Sequence, residues 1–387
     1  MAQDFDGIVL GLGGFGGAVF EHIARRGQSV VGIERFEIAH DYGSSHGETR
    51  IIRKAYFEHP DYVPLLLRSY ELWRGLERDC GRALLHQVGL LIAGPPQGEA
   101  VAGARLARSL HGVPLDDLPP AVAATRFPGF RIPAGFDVVF EPDAGFLDVE
   151  NCVRAQVERG VRAGGTVRTG ERILSWESNG TTVRVVTDRD EYRARCAVIA
   201  AGPWTGELLV DLHLPLNVVR KPVLWCAVRS PAFDVANGAP TFYFEMAEGA
   251  FYGFPSLDGR TLKLAEHTGG QPVADPANVD RNLHPDDVAP VAGFIETCLP
   301  DLNPQPVRHS VCMYTLTPDH HFIVDRHPRF PNVAIAAGFS GHGFKFTQVL
   351  GEALADLAIE GATKLPIDFL GLGRLAIPIQ SCSAASS

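Results

Sequence analysis

The chain has 387 residues, of which 45% are hydrophobic and 21% charged; this is typical of a globular protein and long enough for two domains. Its formal net charge of −10 at pH 7 argues against nucleic acid and anionic membranes as partners, because both bind basic surfaces. The sequence has no uninterrupted apolar stretch of about 18 residues, so we expect no transmembrane helix.

The seven cysteines are widely spaced, and none lies in a CxxC pair or in a Cys/His cluster with metal-ligand spacing. The first residues lead into an apolar strand without the charged segment and cleavage site of a secretory signal. The last residues, 383–387, do not form a peroxisomal address. These patterns predict a reduced, cytoplasmic protein without a metal site.

The first segment of the chain has the pattern of a dinucleotide-binding unit. An apolar strand precedes Gly11-x-Gly13-x-x-Gly16, a helix follows, and a second apolar strand ends at Glu34. The glycines let a pyrophosphate approach the N-terminus of the helix, and Glu34 lies at the distance expected for a carboxylate that binds ribose hydroxyls. The motif does not separate FAD from NAD; the acid disfavours a 2′-phosphate, although Arg35 is adjacent.

The middle of the chain alternates helix and strand patterns. Leucines and Trp73 recur at helical spacing before Gly81, and Asp148 is an expected N-cap of a helix that stops at Gly164. A later apolar strand continues through Ala200 into a turn of small residues. In chain order we expect a helix over 61–80, a strand over 88–93, a helix over 99–110, a helix over 148–163, and strands over 181–187 and 191–197.

The last third of the chain predicts a second kind of sheet. From about residue 218 to 314, several short strand patterns and one helix, over 285–298, are typical of an antiparallel sheet with a helical cover. A strand over 333–337 then leads into a glycine-rich loop and a helix over 346–359. We therefore predict a discontinuous α/β, Rossmann-like cofactor domain and an α+β substrate domain. The first comprises residues 1–82, 149–217 and 318–387, and the second comprises 83–148 and 218–317.

Two further motifs suggest a site. A free cysteine, Cys312, lies among apolar and aromatic residues, and the later loop from Gly338 ends at Lys345 between two phenylalanines. Glycines let backbone N–H groups approach a ligand closely, and the lysine adds a positive charge at an apolar wall. This combination indicates an anion or cofactor site.

Taken in order, these blocks resemble the monomeric sarcosine oxidase and N-methyltryptophan oxidase family, within the D-amino-acid oxidase superfamily. The resemblance covers nearly the whole chain and is carried by residues 11–16, 47–53, 252–255, 262–268, 312–315 and 338–346. It implies a glutathione-reductase-type FAD-binding domain and FAD joined by a thioether to Cys312. It also implies a monomer that oxidises a secondary amino acid to an imine, which is then hydrolysed, with O2 as the electron acceptor and H2O2 as the second product.

The same resemblance implies which residues contact FAD. Read without it, Cys312 is a small buried hydrophobe, the commonest fate of a free cysteine. The residues expected along the cofactor are Gly11, Gly13, Phe15, Gly16, Glu34, Arg35, Ser44, Thr49, Arg50, Ala201, Gly202, Trp204, Cys312, Gly338, Gly341, Gly343, Phe344 and Lys345.

The family places the substrate carboxylate on Arg53 and Lys345. Each cation has an ordinary alternative, an exposed strand arginine and a surface lysine with a buried stem. Two charge-assisted hydrogen bonds to one carboxylate contribute roughly 1.5–3 kcal/mol each. By our alignment, Tyr243 stands where sarcosine oxidases have a pocket-wall methionine. The class of N-methyl or cyclic amino acids is therefore a firmer expectation than sarcosine itself.

The catalytic residues implied by the family surround the flavin ring. Lys263 would lie beside it and favour electron transfer to O2, whereas its strand position alone suggests a solvated face. Arg50 and His46 would make the other side positive for the reduced, anionic flavin. An aromatic cage of Tyr252, His267 and Tyr314 would surround the amine. Within this cage, His267 would serve either as a base or in positioning.

Three alternative functions remain at this point. A flavin dehydrogenase would pass electrons to a carrier instead of O2, which Lys263 disfavours. A non-catalytic FAD-binding subunit would not need Arg53 and Lys345. An NAD-dependent dehydrogenase has no support beyond residue 35 and is opposed by the block at Cys312.

Overall fold

The computed structural model describes residues 3–375. The α-helices in this range are α1 (Gly14–Arg25), α2 (Tyr62–Cys80), α3 (Glu99–His111), α4 (Pro120–Arg126), α5 (Val149–Arg162), α6 (Thr205–Leu208), α7 (Pro285–Cys298) and α8 (Thr347–Ile359). None of these helices combines the length and the hydropathy needed to cross a bilayer.

Twenty strands accompany the helices within the same range. The first ten are β1 (Gln3–Leu10), β2 (Val30–Ile33), β3 (Thr49–Ile52), β4 (Leu85–His86), β5 (Leu90–Gly94), β6 (Asp116–Leu118), β7 (Asp137–Glu141), β8 (Gly145–Asp148), β9 (Thr166–Arg168) and β10 (Ile173–Ser178). The others are β11 (Val183–Thr187), β12 (Glu191–Ile199), β13 (Asn217–Val228), β14 (Thr241–Met246), β15 (Gly249–Gly253), β16 (Thr261–Glu266), β17 (Gln271–Pro272), β18 (Leu302–Leu316), β19 (Ile323–Arg326) and β20 (Val333–Ala337).

A parallel sheet forms the centre of the fold. Its strands β9, β2, β1, β12 and β20 lie side by side and run parallel, while β19 and the β10–β11 hairpin add antiparallel pairs. The apolar residues of β1, such as Ile8 and Val9, are fully buried. Burial of both faces is expected for a parallel sheet covered on each side. Helix α1 packs against α5 and α8 on one of these faces.

The second sheet is almost wholly antiparallel. Its order is β17-β13-β16-β15-β14-β5-β7-β6, and only β14 and β5 run parallel. Strand β13 pairs with β16 along one edge and with β18 along the other. Helix α7 covers this sheet through Phe294, which stacks on Phe251. A small third sheet, β3-β8-β4, links residues from three parts of the chain.

The main sequence expectations for the fold are confirmed. Gly81 ends α2 in the left-handed conformation, and the Asp148 carboxylate caps α5 by accepting from the Asn151 N–H. Helix α8 begins at Thr347, slightly later than expected, because residues 344–346 form a 3₁₀ turn. The short strands β3, β4, β6–β9 and β19, the longer β10 and the short helices α4 and α6 were not expected from the sequence. Strands β13 and β18, with 12 and 15 residues, are longer than the short strands expected in their part of the chain. The division of the chain into the two sets of segments remains a prediction.

Gly16→Ala is expected to destabilise the protein by several kcal/mol. A Cβ atom at this position would lie 1.8 Å from the Gly11 carbonyl oxygen, so the turn before α1 would have to move. A Cβ atom at Gly293, inside α7, would meet nothing within 4 Å beyond its chain neighbours and the backbone of its own helix. Gly293→Ala should therefore stabilise the protein by up to about 1 kcal/mol. Thermal unfolding of both variants measures the contrast; equal midpoints would show that the packing at Gly16 is not needed.

Candidate active site

One large cavity, of about 410 Å³, lies at the carboxyl ends of the parallel strands. Gly11 follows β1, Glu34 follows β2, Ala201 lies just beyond β12 and Gly338 follows β20, and all four line it. Ligands of open α/β sheets bind at this edge, because the loops there leave the sheet in different directions. The cavity continues to the second sheet, where Tyr252 lines it.

The glycine motif forms a tight turn at one end of this cavity. Gly11 has a φ of 90°, and a Cβ atom there would lie 2.8 Å from the Ala200 carbonyl oxygen, so only glycine fits. The Leu12 N–H donates to the Glu34 carboxylate at 2.8 Å, and the Gly14 N–H donates to Ser45 Oγ at 3.1 Å. The turn is therefore held in a fixed shape at the start of α1.

The glycine-rich loop after β20 is shaped by close packing. Gly338 and Gly341 adopt positive φ values of 61° and 81°, and a Cβ atom at Gly341 would meet the Tyr314 ring at 2.4 Å. A Cβ atom at Gly343 would lie 2.6 Å from Phe339, which stacks on Phe15. The loop thus brings backbone close to the cavity and presents Phe344 and Lys345 to it.

Cys312 lies in a positively charged environment. It is 2% exposed, and its Sγ atom lies 3.2 Å from Nη2 of Arg50. Nη1 of the same arginine donates to the Thr49 carbonyl. Burial alone would raise the pKa of this thiol, but Arg50 and then His46 lower the pKa to about 6. Cys312 is therefore largely a thiolate at neutral pH, the nucleophilic form of the side chain.

Lys263 is buried, so the solvated strand face suggested by its sequence position is wrong. Its ammonium donates to the carbonyl oxygens of Gly47 and Thr49, the latter at 2.8 Å, and to Thr49 Oγ1 at 3.1 Å. Burial and then the charge of Arg50 hold the pKa of Lys263 well below its usual range. In the register of β13, Lys221 opposes Cys312 and Trp225 opposes Lys263, so Cys312 and Lys263 share one face of the sheet.

Arg53 and Lys345, the two expected carboxylate partners, line the cavity and are both buried. Arg53 forms an ion pair with Glu58, which also lines the cavity, and stacks on the Phe57 ring. Lys345 donates to the His342 carbonyl at 2.7 Å. Burial, followed by the repulsion of Arg53, lowers the pKa of Lys345 to about 7. The surface alternatives for both cations are wrong.

An aromatic wall faces these cations. The Tyr314 ring lies 5.7 Å from the His267 ring, and Tyr243 and Tyr252 meet the same imidazole edge-on at 6.1 and 6.2 Å. The hydroxyl oxygens of Tyr252 and Tyr314 are 3.5 Å apart. Tyr252, His267 and Tyr314, the three residues expected around the amine, thus lie together, and Tyr243 on β14 lies beside them.

The sequence matches the family model for FAD-dependent oxidoreductases over residues 6–357. The chain belongs to this family. It is 40% identical to monomeric sarcosine oxidase of Streptomyces avermitilis, covering 97% of this chain and 99% of that one. It is also 33% identical to N-methyl-L-tryptophan oxidase of Yersinia pestis, over 96% of this chain and 100% of the relative.

A solved structure is similar over the same length. It is a variant of NikD, described as an unusual amino acid oxidase essential for nikkomycin biosynthesis, in an open form. The TM-score is 0.86 at 27% sequence identity, covering 96% of this chain and 97% of that one. Family membership makes the protein an FAD-dependent oxidoreductase and excludes the NAD-dependent alternative that the glycine motif had left open.

The residues around the cavity fit FAD. The Gly14 N–H is taken by Ser45, but the other N–H groups of the first turn of α1 lack acceptors within the helix and are available to phosphate oxygens. The indole N–H of Trp204, a cavity-lining residue, is buried without a partner in the part of the chain that the structure describes. Arg35 lies over the same ring at 5.8 Å. The cavity is thus lined by donors and flat side chains at the end where the dinucleotide motif lies.

Five expected site residues do not line the cavity: Gly16, His46, Thr49, Lys263 and Cys312. Gly16 instead allows close backbone packing, and the other four form a layer behind Arg50. All the other expected residues, including Ser44, Gly13 and Gly202, line it. Sequence reasoning missed Glu58, because an acid five positions beyond an arginine follows no helical or strand period there. It also missed Ser45, whose hydroxyl binds the α1 turn.

Proposed function

We propose that the protein is a monomeric FAD-dependent oxidase of secondary amino acids, either N-methylated or cyclic. O2 would be the acceptor, and the products would be H2O2 and an imine that hydrolyses to an amine and an aldehyde. Bound FAD supplies the two-electron oxidation. One observation carries the proposal: two buried cations and a tyrosine–histidine wall line the same cavity as the dinucleotide turn.

The carboxylate of the substrate would bind Arg53 and Lys345. Both are buried, so each charge acts at low dielectric and a carboxylate held between them gains far more than it would in water. Glu58 already neutralises Arg53, and Arg53 in turn is the main group that offsets burial and lowers the pKa of Glu58 to about 2. A substrate carboxylate must therefore compete with Glu58 for Arg53, whereas no acidic partner holds Lys345 among the bonds of residues 3–375.

The amine would lie against Tyr252, Tyr314 and His267. Burial lowers the pKa of His267 to about 4, so its imidazole is neutral at physiological pH. So weak a base is poorly suited to remove a proton from an ammonium group, and we assign it a positioning role. The nearby cations also disfavour the ammonium form and favour the neutral amine that is oxidised.

Tyr243 would limit the size of the substrate. Its ring contacts Phe57 at 4.8 Å and His267 at 6.1 Å across the cavity wall. Burial raises the pKa of its phenol, so the hydroxyl stays protonated and can donate to a substrate. The class of small N-methyl or cyclic amino acids suits this wall, and the preferred member remains to be measured.

We further propose that FAD is attached covalently to Cys312 and that Lys263 serves the reaction with O2. The thiolate character of Cys312 supports the first, and the buried charge of Lys263 on the same face of the sheet supports the second. A cytoplasmic location remains a prediction from the odd number and wide spacing of the cysteines in the sequence.

A panel of secondary amino acids assayed for peroxide tests the proposed function. Sarcosine, N-methylalanine, proline and pipecolate should include at least one substrate that consumes O2 and releases H2O2 in equal amounts. Bleaching of the flavin without O2 uptake would instead indicate a dehydrogenase with another acceptor. No bleaching by any member would indicate a non-catalytic FAD-binding protein.

Lys345→Met and Arg53→Met should each weaken substrate binding by about 10- to 100-fold, because each removes one charge-assisted hydrogen bond to the carboxylate. Methionine keeps most of the apolar stem of each side chain and removes the charge. Inhibition by small carboxylates should weaken in parallel, as measured by titration of the flavin spectrum.

Lys364→Met is the matched control, since Lys364 is exposed and does not line the cavity. It should bind substrate and inhibitors as the wild type does. Unchanged affinity in both Lys345→Met and Arg53→Met, in folded protein, would contradict the assignment.

A further inference from the structure

A strained turn lies directly beneath Lys263. Gly47 and Glu48 both have positive φ values, 87° and 71°. A residue with a Cβ atom resists this left-handed conformation, so Glu48 is held there by its surroundings. Its carboxylate accepts from the indole N–H of Trp225 at 3.0 Å and pairs with Arg308. The turn is thus fixed on its outer side.

Glu150 holds the N–H groups of the same turn. Its Oε1 atom accepts from the Gly47 N–H at 2.7 Å, and its two oxygens accept from the Glu48 N–H at 3.2 and 3.1 Å. Glu150 lies in the first turn of α5, where any acid is favoured by the helix dipole. The dipole does not explain why this carboxylate binds two N–H groups of another segment. The Val149 N–H also donates to the Glu48 carbonyl at 2.8 Å.

The carbonyl groups of the turn bind Lys263. An ammonium group has three N–H donors, and those of Lys263 are taken up by the carbonyls of Gly47 and Thr49 and by the Thr49 hydroxyl. The turn therefore lies between two charged groups. The Glu150 carboxylate holds its N–H groups, and its carbonyl groups hold the Lys263 ammonium. Without the Glu150 carboxylate, the strained turn would relax to another shape. Its carbonyl groups would then no longer match the three N–H donors of Lys263.

We propose that Glu150 is a positioning residue for Lys263: through the turn Gly47–Thr49 it fixes the ammonium for the reaction of the reduced enzyme with O2. This inference rests on the proposed function, in which Lys263 serves the O2 reaction. Arg50, Glu48 and Cys312 also face Lys263. Among the described residues, Glu150 is the side chain that accepts from the N–H of Gly47, whose carbonyl binds Lys263, and from the N–H of Glu48, which follows it.

Two measurements on the holoenzyme test the proposal with Glu150→Gln. Acetylation of Lys263 by acetic anhydride, followed by peptide mass spectrometry, reports how tightly the amine is held. The second measurement is the rate of reoxidation by O2 in a stopped-flow instrument, with Lys263 present and in a Lys263→Met background. Comparing the two backgrounds reports whether Glu150 acts through Lys263. Glu158→Gln is the matched control, because it removes the same charge from α5 at an exposed position paired with Arg82.

We expect Glu150→Gln to raise the acetylation rate of Lys263 and to slow reoxidation, each by roughly tenfold, the size of a lost charge-assisted hydrogen bond. It should add nothing in the Lys263→Met background, since two changes on one path are not additive. Glu158→Gln should match the wild type. If Glu150→Gln does not fold, Glu150→Asp, which keeps the charge on a shorter stem, should shift both rates in the same direction.

Unchanged acetylation of Lys263 would overturn the proposal, as would equal slowing of reoxidation with and without Lys263. Faster acetylation at an unchanged reoxidation rate would overturn the link to O2. A wild type that forms no peroxide with any amine would instead contradict the proposed function, and the acetylation rates would still show whether Glu150 holds Lys263.

Discussion

Lys263→Met is expected to slow reoxidation of the reduced enzyme by O2 by at least about a hundredfold, or about 2.7 kcal/mol of barrier. Lys263 is a buried cation whose three donors are fixed by Gly47 and Thr49. Negative charge develops on O2 as it accepts an electron, and a preorganised cation in a dry site stabilises that charge strongly. Oxidation of a neutral amine gains little from the same charge, so anaerobic reduction should fall much less.

Stopped-flow measurement of the two half-reactions separates these effects. Lys221→Met is the control, because Lys221 is equally buried on the same face of the sheet but donates to the Thr268 carbonyl. It should leave reoxidation near the wild-type rate. If Lys263→Met keeps its reoxidation rate while reduction collapses, Lys263 belongs to the amine reaction and the assignment is wrong.

Cys312→Ala is expected to convert all covalent flavin to dissociable flavin. Arg50 and His46 hold Cys312 as a thiolate, whereas burial raises the pKa of Cys152, Cys196, Cys226 and Cys298. Wild-type protein should stay yellow after acid precipitation, and its intact mass should exceed that of the polypeptide by one FAD. The variant should give a colourless pellet and a mass without the addition.

Cys152→Ala is the matched control. Cys152 is fully buried, and burial raises its pKa well above the usual range, so it remains an unreactive thiol. Its replacement should leave the flavin covalent. A colourless pellet from the wild type, prepared with FAD available, would contradict covalent attachment.

Attachment to the apoprotein should also depend on pH. Because the pKa of Cys312 is lowered to about 6, the thiolate is present above that pH and is lost as the pH falls through it. The rate of covalent incorporation should therefore be level above about pH 7 and fall below pH 6. A rate that keeps rising to pH 9 would show that Arg50 and His46 do not lower the pKa.

The sequence predicts those parts of the fold whose causes are local. Asp148 and Gly81 mark helix ends through capping. Helix α7 has the expected bounds because its apolar residues recur at helical spacing, and β20 because it is a short uninterrupted apolar run. Strands such as β3 and β8 are too short to show a period, and they depend on pairing between distant segments.

The candidate site divides in the same way. Motif residues such as Gly11 and Lys345 were predicted because the chain order of the family blocks places them. The contacts of Glu58 with Arg53 and of Glu150 with the turn at Gly47 were not, since each depends on side-chain geometry that spacing does not encode. Sequence reasoning thus names the reacting groups more readily than the groups that hold them.

Strand β13 pairs with β16, which carries Lys263, on one edge and with β18, which carries Cys312, on the other. Its backbone hydrogen bonds set the spacing between Cys312 and Lys263. Tyr243, the proposed substrate wall, belongs to β14, which is not a neighbour of β13 in the sheet order. Changes at Tyr243 are therefore expected to alter substrate choice without altering that spacing, so that substrate selection and the reaction with O2 can be varied independently in this protein.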